Sequence, residues 1–125
     1  MPASIVYKRI VMQKDLNPYN NLYGGTMMGW LDEAGAIFAT EVLHDRANFV
    51  TVKVSEILFK RPVILGDLLT FSATMTHVGT TSFAVQIAVN NERQGEVACC
   101  NITFVTLDLG HPTPHKLPKL IKETE

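Results

Sequence analysis

Cysteine is scarce in this chain, and the only two, Cys99 and Cys100, are adjacent. Neighbouring side chains on a strand point to opposite faces, so a bond between them would be strained. Two free thiols are expected, one packed inward and one outward, as a reducing compartment would leave them. An excess of charge is also missing. Eleven Lys and Arg against twelve Asp and Glu give a formal net charge of −1. The basic residues are spread from Lys8 to Lys122 and form no stripe, which excludes a nucleic-acid backbone or a polybasic membrane contact as the expected partner. No window approaches the ~18 uninterrupted apolar residues of a membrane span, and the opening "MPASIVYKRIVM" has no apolar signal-peptide core. The cytoplasm is the expected location. The histidines His44, His77, His111 and His115 share no close spacing with the cysteine pair. His111 and His115 lie four apart, but the prolines of "GHPTPHK" preclude a helical pair, so no metal site is expected. No serine sits in a Gly-x-Ser-x-Gly elbow, which argues against a serine hydrolase.

What the chain does have suits one compact unit. Its 125 residues, 46% hydrophobic and 18% charged, are expected to form a single domain over residues 1–125. A domain of this size buries roughly two thirds of its unfolded surface, a modest reserve that leaves association through a sheet edge or an apolar face open. "SIVYKRIVM" (4–12) reads as a strand, and "KDLNPYNNLYGG" as a long turn-rich loop. Good helix formers dominate from Thr26 to about Leu43, with Met27, Met28, Leu31, Ala34, Ile37, Phe38 and Val42 at helical spacing. Both methionines are expected in the core. Four β-rich runs follow, "NFVTVKVSEILF", "DLLTFSATMTHV", "TSFAVQIAVN" and "EVACCNITFVTL", and tight turns join the last three into an antiparallel meander. Residues 109–125, with three prolines and a charged end, read as an extended tail. The order of strand, loop, helix and four strands predicts an α+β architecture, an antiparallel sheet wrapped around one long central helix.

That helix carries Asp32 and Glu33 at its middle. Adjacent helical residues are about 100° apart, so the two cannot both face the sheet. Most exposed carboxylates are simply solvated. Two neighbours point elsewhere: "YGG" just before the helix offers free backbone N–H groups at the positive end of the helix dipole, and Asn17 lies in the same loop.

Residues 15–37, "DLNPYNNLYGGTMMGWLDEAGAI", with "VTVKVSEILFKRPVILGD" (50–67) and "HVGTTSFAVQIAV" (77–89), resemble the hotdog-fold acyl-CoA thioesterases. The likeness is to the cytosolic, broad-range acyl-CoA hydrolases that include vertebrate brain-type enzymes and bacterial relatives. The motifs occur in the family's order: Asp-x-Asn, Gly-Gly, a helix carboxylate, Phe-x-Arg-Pro-Val-x-x-Gly-Asp and Gly-Thr-Thr-Ser. What the resemblance implies is a hotdog fold that pairs edge to edge into a homodimer with interfacial active sites, often assembled as a trimer of dimers, a hexamer. The family's catalytic carboxylate falls on Asp32 and its loop asparagine on Asn17, the two coming from opposite subunits. Arg61 and the turn Gly79, Thr80, Thr81, Ser82 fall where relatives hold the phosphates and pantetheine of coenzyme A, which belongs to substrate and product and is no cofactor. Asn20 departs from the pattern, standing where relatives usually have Gly, and Trp30 is a bulky entry in the helix.

Thioester hydrolysis needs a base for water and donors aimed at the oxygen that becomes negative. Asp32 would supply the first and the N–H groups near Gly24 and Gly25 the second, with Asn17 orienting the water or the carbonyl. Direct attack by Asp32 through an anhydride uses the same residue. Two rivals remain in view. A hotdog dehydratase would be expected to place an active-site histidine early, and none occurs before His44. A non-catalytic acyl-CoA-binding module would keep the pocket and lose the base.

Overall fold

A computed structural model describes residues 3–43 and 48–107. It contains strand β1 (Ser4–Ile10), a 3₁₀ turn (Gln13–Asp15), helix α1 (Gly24–Val42), and strands β2 (Asn48–Phe59), β3 (Leu68–Val78), β4 (Ser82–Asn91) and β5 (Gly95–Leu107). The expected tail over 109–125 and His44, His111 and His115 lie outside the described residues.

Period-2 alternation builds the inner face of the sheet. In β3 every second residue from Leu69 to Met75 is buried, and Phe83, Val85, Ile87 and Val89 do the same in β4. Those strands and β5 form the expected antiparallel meander, and the full sheet runs β1-β3-β4-β5-β2, all pairs antiparallel. Helix α1 lays Met27, Leu31, Ala34, Phe38 and Val42 onto this face. Gly35 brings the helix close: a Cβ there would lie 2.9 Å from Ile102 Cδ1 and 3.1 Å from Phe104 Cζ. Phe104 in turn stacks on Phe83 at 5.2 Å between ring centroids.

Three details differ from the sequence expectation. Strand β1 stops at Ile10, because Asp15 Oδ2 accepts the Met12 N–H at 2.9 Å and curls the chain into the 3₁₀ turn. The glycine pair stands inside the first helical turn, with Tyr23 as N-cap. Met28 is not core. It is 44% exposed against 2% for Met27, because only one face of α1 is covered and position 28 lies about 100° off it. The cysteines separate as expected: Cys100 is buried, Cys99 half-buried, and both are free. Burial pushes the Cys100 thiol up to about 12, helped by the charges of Cys99 and Asp32, so it packs as an inert thiol.

Candidate active site

The helix divides its two central carboxylates between the two edges of the sheet. Glu33 forms an ion pair with Arg9 of β1. That guanidinium also lies 4.8 Å from the centre of the Tyr7 ring and 4.9 Å from that of Trp30, while the Tyr7 hydroxyl donates to the Trp30 carbonyl at 2.7 Å. Trp30 and Glu33 therefore belong to one clasp that ties the helix to β1. Burial raises the Tyr7 pKa, which keeps its hydroxyl a donor.

Asp32 turns the other way. Its Oδ1 accepts the hydroxyl of Thr51 on β2 at 3.0 Å, and no Lys, Arg or His among the described residues pairs with it. The carboxylate is exposed on the flank of α1 facing the β2 edge of the sheet. Thr51 was not a sequence candidate. Its only signal was a hydroxyl in an apolar strand, and the register that sets β2 beside the helix is not written locally.

The loop before the helix is tightly specified. Asn17 Oδ1 accepts the N–H groups of Tyr19 at 2.9 Å and Asn21 at 3.1 Å, and its backbone N–H donates to the Asn21 carbonyl at 2.8 Å. Asn20 sits at φ 64°, the left-handed region that glycine favours and asparagine tolerates. The loop thus consumes the acceptor of the Asn17 side chain, and no described residue accepts from its amide donors. At the helix start no side chain caps the N-terminus, and no described residue accepts the N–H of Gly24 or Gly25.

A cavity of about 350 Å³ opens beside this N-terminus, with Tyr23, Gly24 and Met27 on one side and Phe59, Arg61 and Val97 on the other. Arg61 donates to the Gln94 carbonyl, and Lys60 forms an ion pair with Glu96. The turn Gly79 to Ser82 lies far from it. Ser82 pairs with Val105 whereas Phe59 pairs with Ala98, seven residues apart on β5, or about 23 Å at ~3.3 Å per residue. Gly79 donates its N–H to the Ser82 carbonyl at 2.7 Å, and Thr81 O accepts the Thr106 N–H at 2.9 Å. One chain therefore does not bring Arg61 together with Gly79, Thr80, Thr81 and Ser82. Among the described residues no group of three or more His, Cys, Asp or Glu is placed to hold a metal ion, and no helix is long and apolar enough to cross a membrane.

This architecture and sequence match a known family, because the thioesterase superfamily model covers residues 19–98. The chain belongs to the thioesterase superfamily. Its helix in a five-stranded wrap is the hotdog fold. Among thioesterase-superfamily relatives, the acyl-CoA thioester hydrolase YciA of Escherichia coli is 38% identical over 87 residues, 70% of this chain and 64% of that protein. The chain thus spans a little under two thirds of the YciA length. A solved acyl-CoA hydrolase from Staphylococcus aureus, in complex with butyryl coenzyme A, coenzyme A and coenzyme A disulfide, aligns with TM-score 0.83 and 28% identity over 98% of this chain and 76% of its own. A hexameric hotdog fold thioesterase of Campylobacter jejuni aligns with TM-score 0.80 and 28% identity over 92% of this chain and 90% of its own.

Proposed function

We propose that this protein hydrolyses acyl-CoA thioesters to free fatty acid and coenzyme A at sites formed between two subunits, with Asp32 as general base. The observation that carries the reading is the asymmetry of the helix pair: Glu33 is committed to Arg9, whereas Asp32 is accessible and held by a neutral hydroxyl. A carboxylate bonded to Thr51 through one oxygen keeps the other for the water that attacks the thioester carbon. The Asn17 amide donors and the N–H groups of Gly24 and Gly25 stabilise the tetrahedral oxyanion as the thiolate of coenzyme A departs. Attack by Asp32 itself, through a mixed anhydride, uses the same carboxylate and the same donors.

Helical geometry supports a shared site. Gly24 and Asp32 are eight residues apart, about 12 Å along one helix, too far for both to reach a single thioester carbon. Oxyanion donors from one subunit and a base from its partner remove the conflict. The edge of β2, which no other described strand covers, supplies a surface for such pairing, since Val50, Val52, Val54 and Leu58 are all exposed. A homodimer, or a trimer of dimers as the hexameric relatives would suggest, is the proposed assembly. In it Arg61 and Gly79, Thr80, Thr81 and Ser82 contact one coenzyme A only if different subunits provide them.

A panel of acyl-CoAs assayed for thiol release, with wild type, Asp32→Asn and Glu33→Gln compared, tests the reading. Release by wild type that only the Asp32 change abolishes supports it. Binding without turnover by wild type would favour the non-catalytic module.

A further inference from the structure

We infer that the cavity beside the start of α1 receives the acyl chain, and that Met27 at its floor restricts efficient substrates to short and medium lengths. The inference rests on the thioesterase reading and specifies its substrate class.

The cavity is graded in burial and in charge. Its outer wall is exposed and partly cationic, with Tyr23 47% and Phe59 53% accessible beside Lys60 and Arg61. Its inner wall is apolar and sealed: Met27, Val63 and Val97 are 2%, 4% and 1% accessible. A ligand apolar at one end and anionic at the other fits that gradient, and an acyl-CoA has this form, with its phosphates far from its hydrocarbon. Gly24 lines the same cavity, so a thioester oxygen at the open N–H groups would direct its acyl carbons inward. A side chain there would narrow the entrance, since a Cβ on Gly24 would lie 3.8 Å from the Phe59 ring.

Volume sets the limit. At about 30 Å³ per water-sized group, a space of about 350 Å³ holds roughly a dozen heavy atoms. The thioester and the first atoms of the pantetheine arm take about four of these, which leaves room for about eight acyl carbons. Beyond that the chain meets Met27, which lines the cavity and is buried. Each methylene that does not fit lowers kcat/KM by roughly 10-fold or more.

The experiment measures kcat/KM on a straight-chain acyl-CoA series from acetyl to palmitoyl. The wild type is expected to peak between hexanoyl and octanoyl and to fall at least ~100-fold by palmitoyl. Met27→Ala should move the optimum two to four carbons longer, raising the decanoyl-to-hexanoyl ratio about 100-fold or more, while Met27→Leu, which conserves volume, should keep the wild-type profile. Val97→Ala deepens the floor from β5 and carries the test if Met27→Ala does not fold. Hydrolysis with an unchanged chain-length profile in both deepened variants would overturn the inference and leave the thioesterase reading intact. Absence of hydrolysis at every chain length would overturn both.

Discussion

At the scale of single residues, two adjacent carboxylates acquire different chemistry from the side of the helix on which each emerges. We predict that Asp32→Asn lowers kcat by at least ~100-fold with little change in acyl-CoA binding, measured by steady-state kinetics and by titration of the inactive variant with substrate. Glu33→Gln should stay within a few-fold in kcat, its cost appearing in stability through loss of the Arg9 clasp. Equal effects from the two changes would reverse the assignment of the helix faces. Thr51→Val, which removes the hydroxyl that holds Asp32 Oδ1, should lower kcat roughly 10-fold while the melting temperature stays close to wild type. A threonine with no part in orienting the carboxylate would leave kcat unmoved.

At the scale of elements, the close approach of α1 to the sheet and the clamp around Asp67 make separate predictions. Gly35 has no room for a side chain between Ile102 and Phe104, so Gly35→Val should cost about 1–3 kcal/mol by overpacking. At Gly29 a Cβ would meet nothing within 4 Å, and Gly29→Ala should gain up to about 1 kcal/mol from helix propensity. Urea midpoints of the two variants should move in opposite directions. The clamp joins the segment after β2 to the β4–β5 turn. Asp67 is buried, and its oxygens accept from Arg93 Nε at 3.0 Å and Nη2 at 3.1 Å, from Asn91 Nδ2 at 2.9 Å and from the Ile64 N–H at 3.0 Å. Arg93 above all holds the Asp67 carboxyl down at about 2, against 3.8 for the free side chain. A depressed carboxylate contributes stability that is complete above the unfolded value and lost as pH falls through the folded one. The loss should therefore run from about pH 4 to about pH 2 and amount to about 2 kcal/mol. Unfolding free energy measured against pH should show that slope in wild type and a shallower one in Asp67→Asn.

At the scale of the whole molecule, the proposed site draws on two subunits, a reading supported by the rise of about 12 Å between Gly24 and Asp32 along the helix and by the separation of Arg61 from Gly79 to Ser82 along the sheet. Subunit exchange should reveal this. Asn17→Ala and Asp32→Asn proteins, each inactive alone, should regain activity when mixed, because some heterodimers carry one site with both native residues. Random mixing makes about half the dimers heterodimeric, each with one intact site, so recovery should approach a quarter of wild-type activity. Verified exchange without recovery would place both residues in one subunit and remove the interfacial site.

The amino-acid sequence by itself determined the elements, because their signals are local. β-rich runs bounded by turn residues placed four strands within a residue or two of their observed ends, and helical spacing with good formers placed α1 to within two residues of its start. The same locality exposed Asp32, Glu33, Asn17 and the glycine pair as candidates, and ordered motifs tied them to a family. Only the tertiary structure decided which carboxylate meets which strand. Helical spacing fixes that Asp32 and Glu33 diverge, but not that β1 lies on one flank with Arg9 and β2 on the other with Thr51, since strand order and register arise from packing between residues distant in sequence. Met28 left the core for the same reason: the helix is apolar on more sides than the sheet covers. The partition of Asn17 into a used acceptor and amide donors that no described residue takes up, and the cavity floored by Met27, likewise follow from loops and strands meeting in space, which no local pattern encodes.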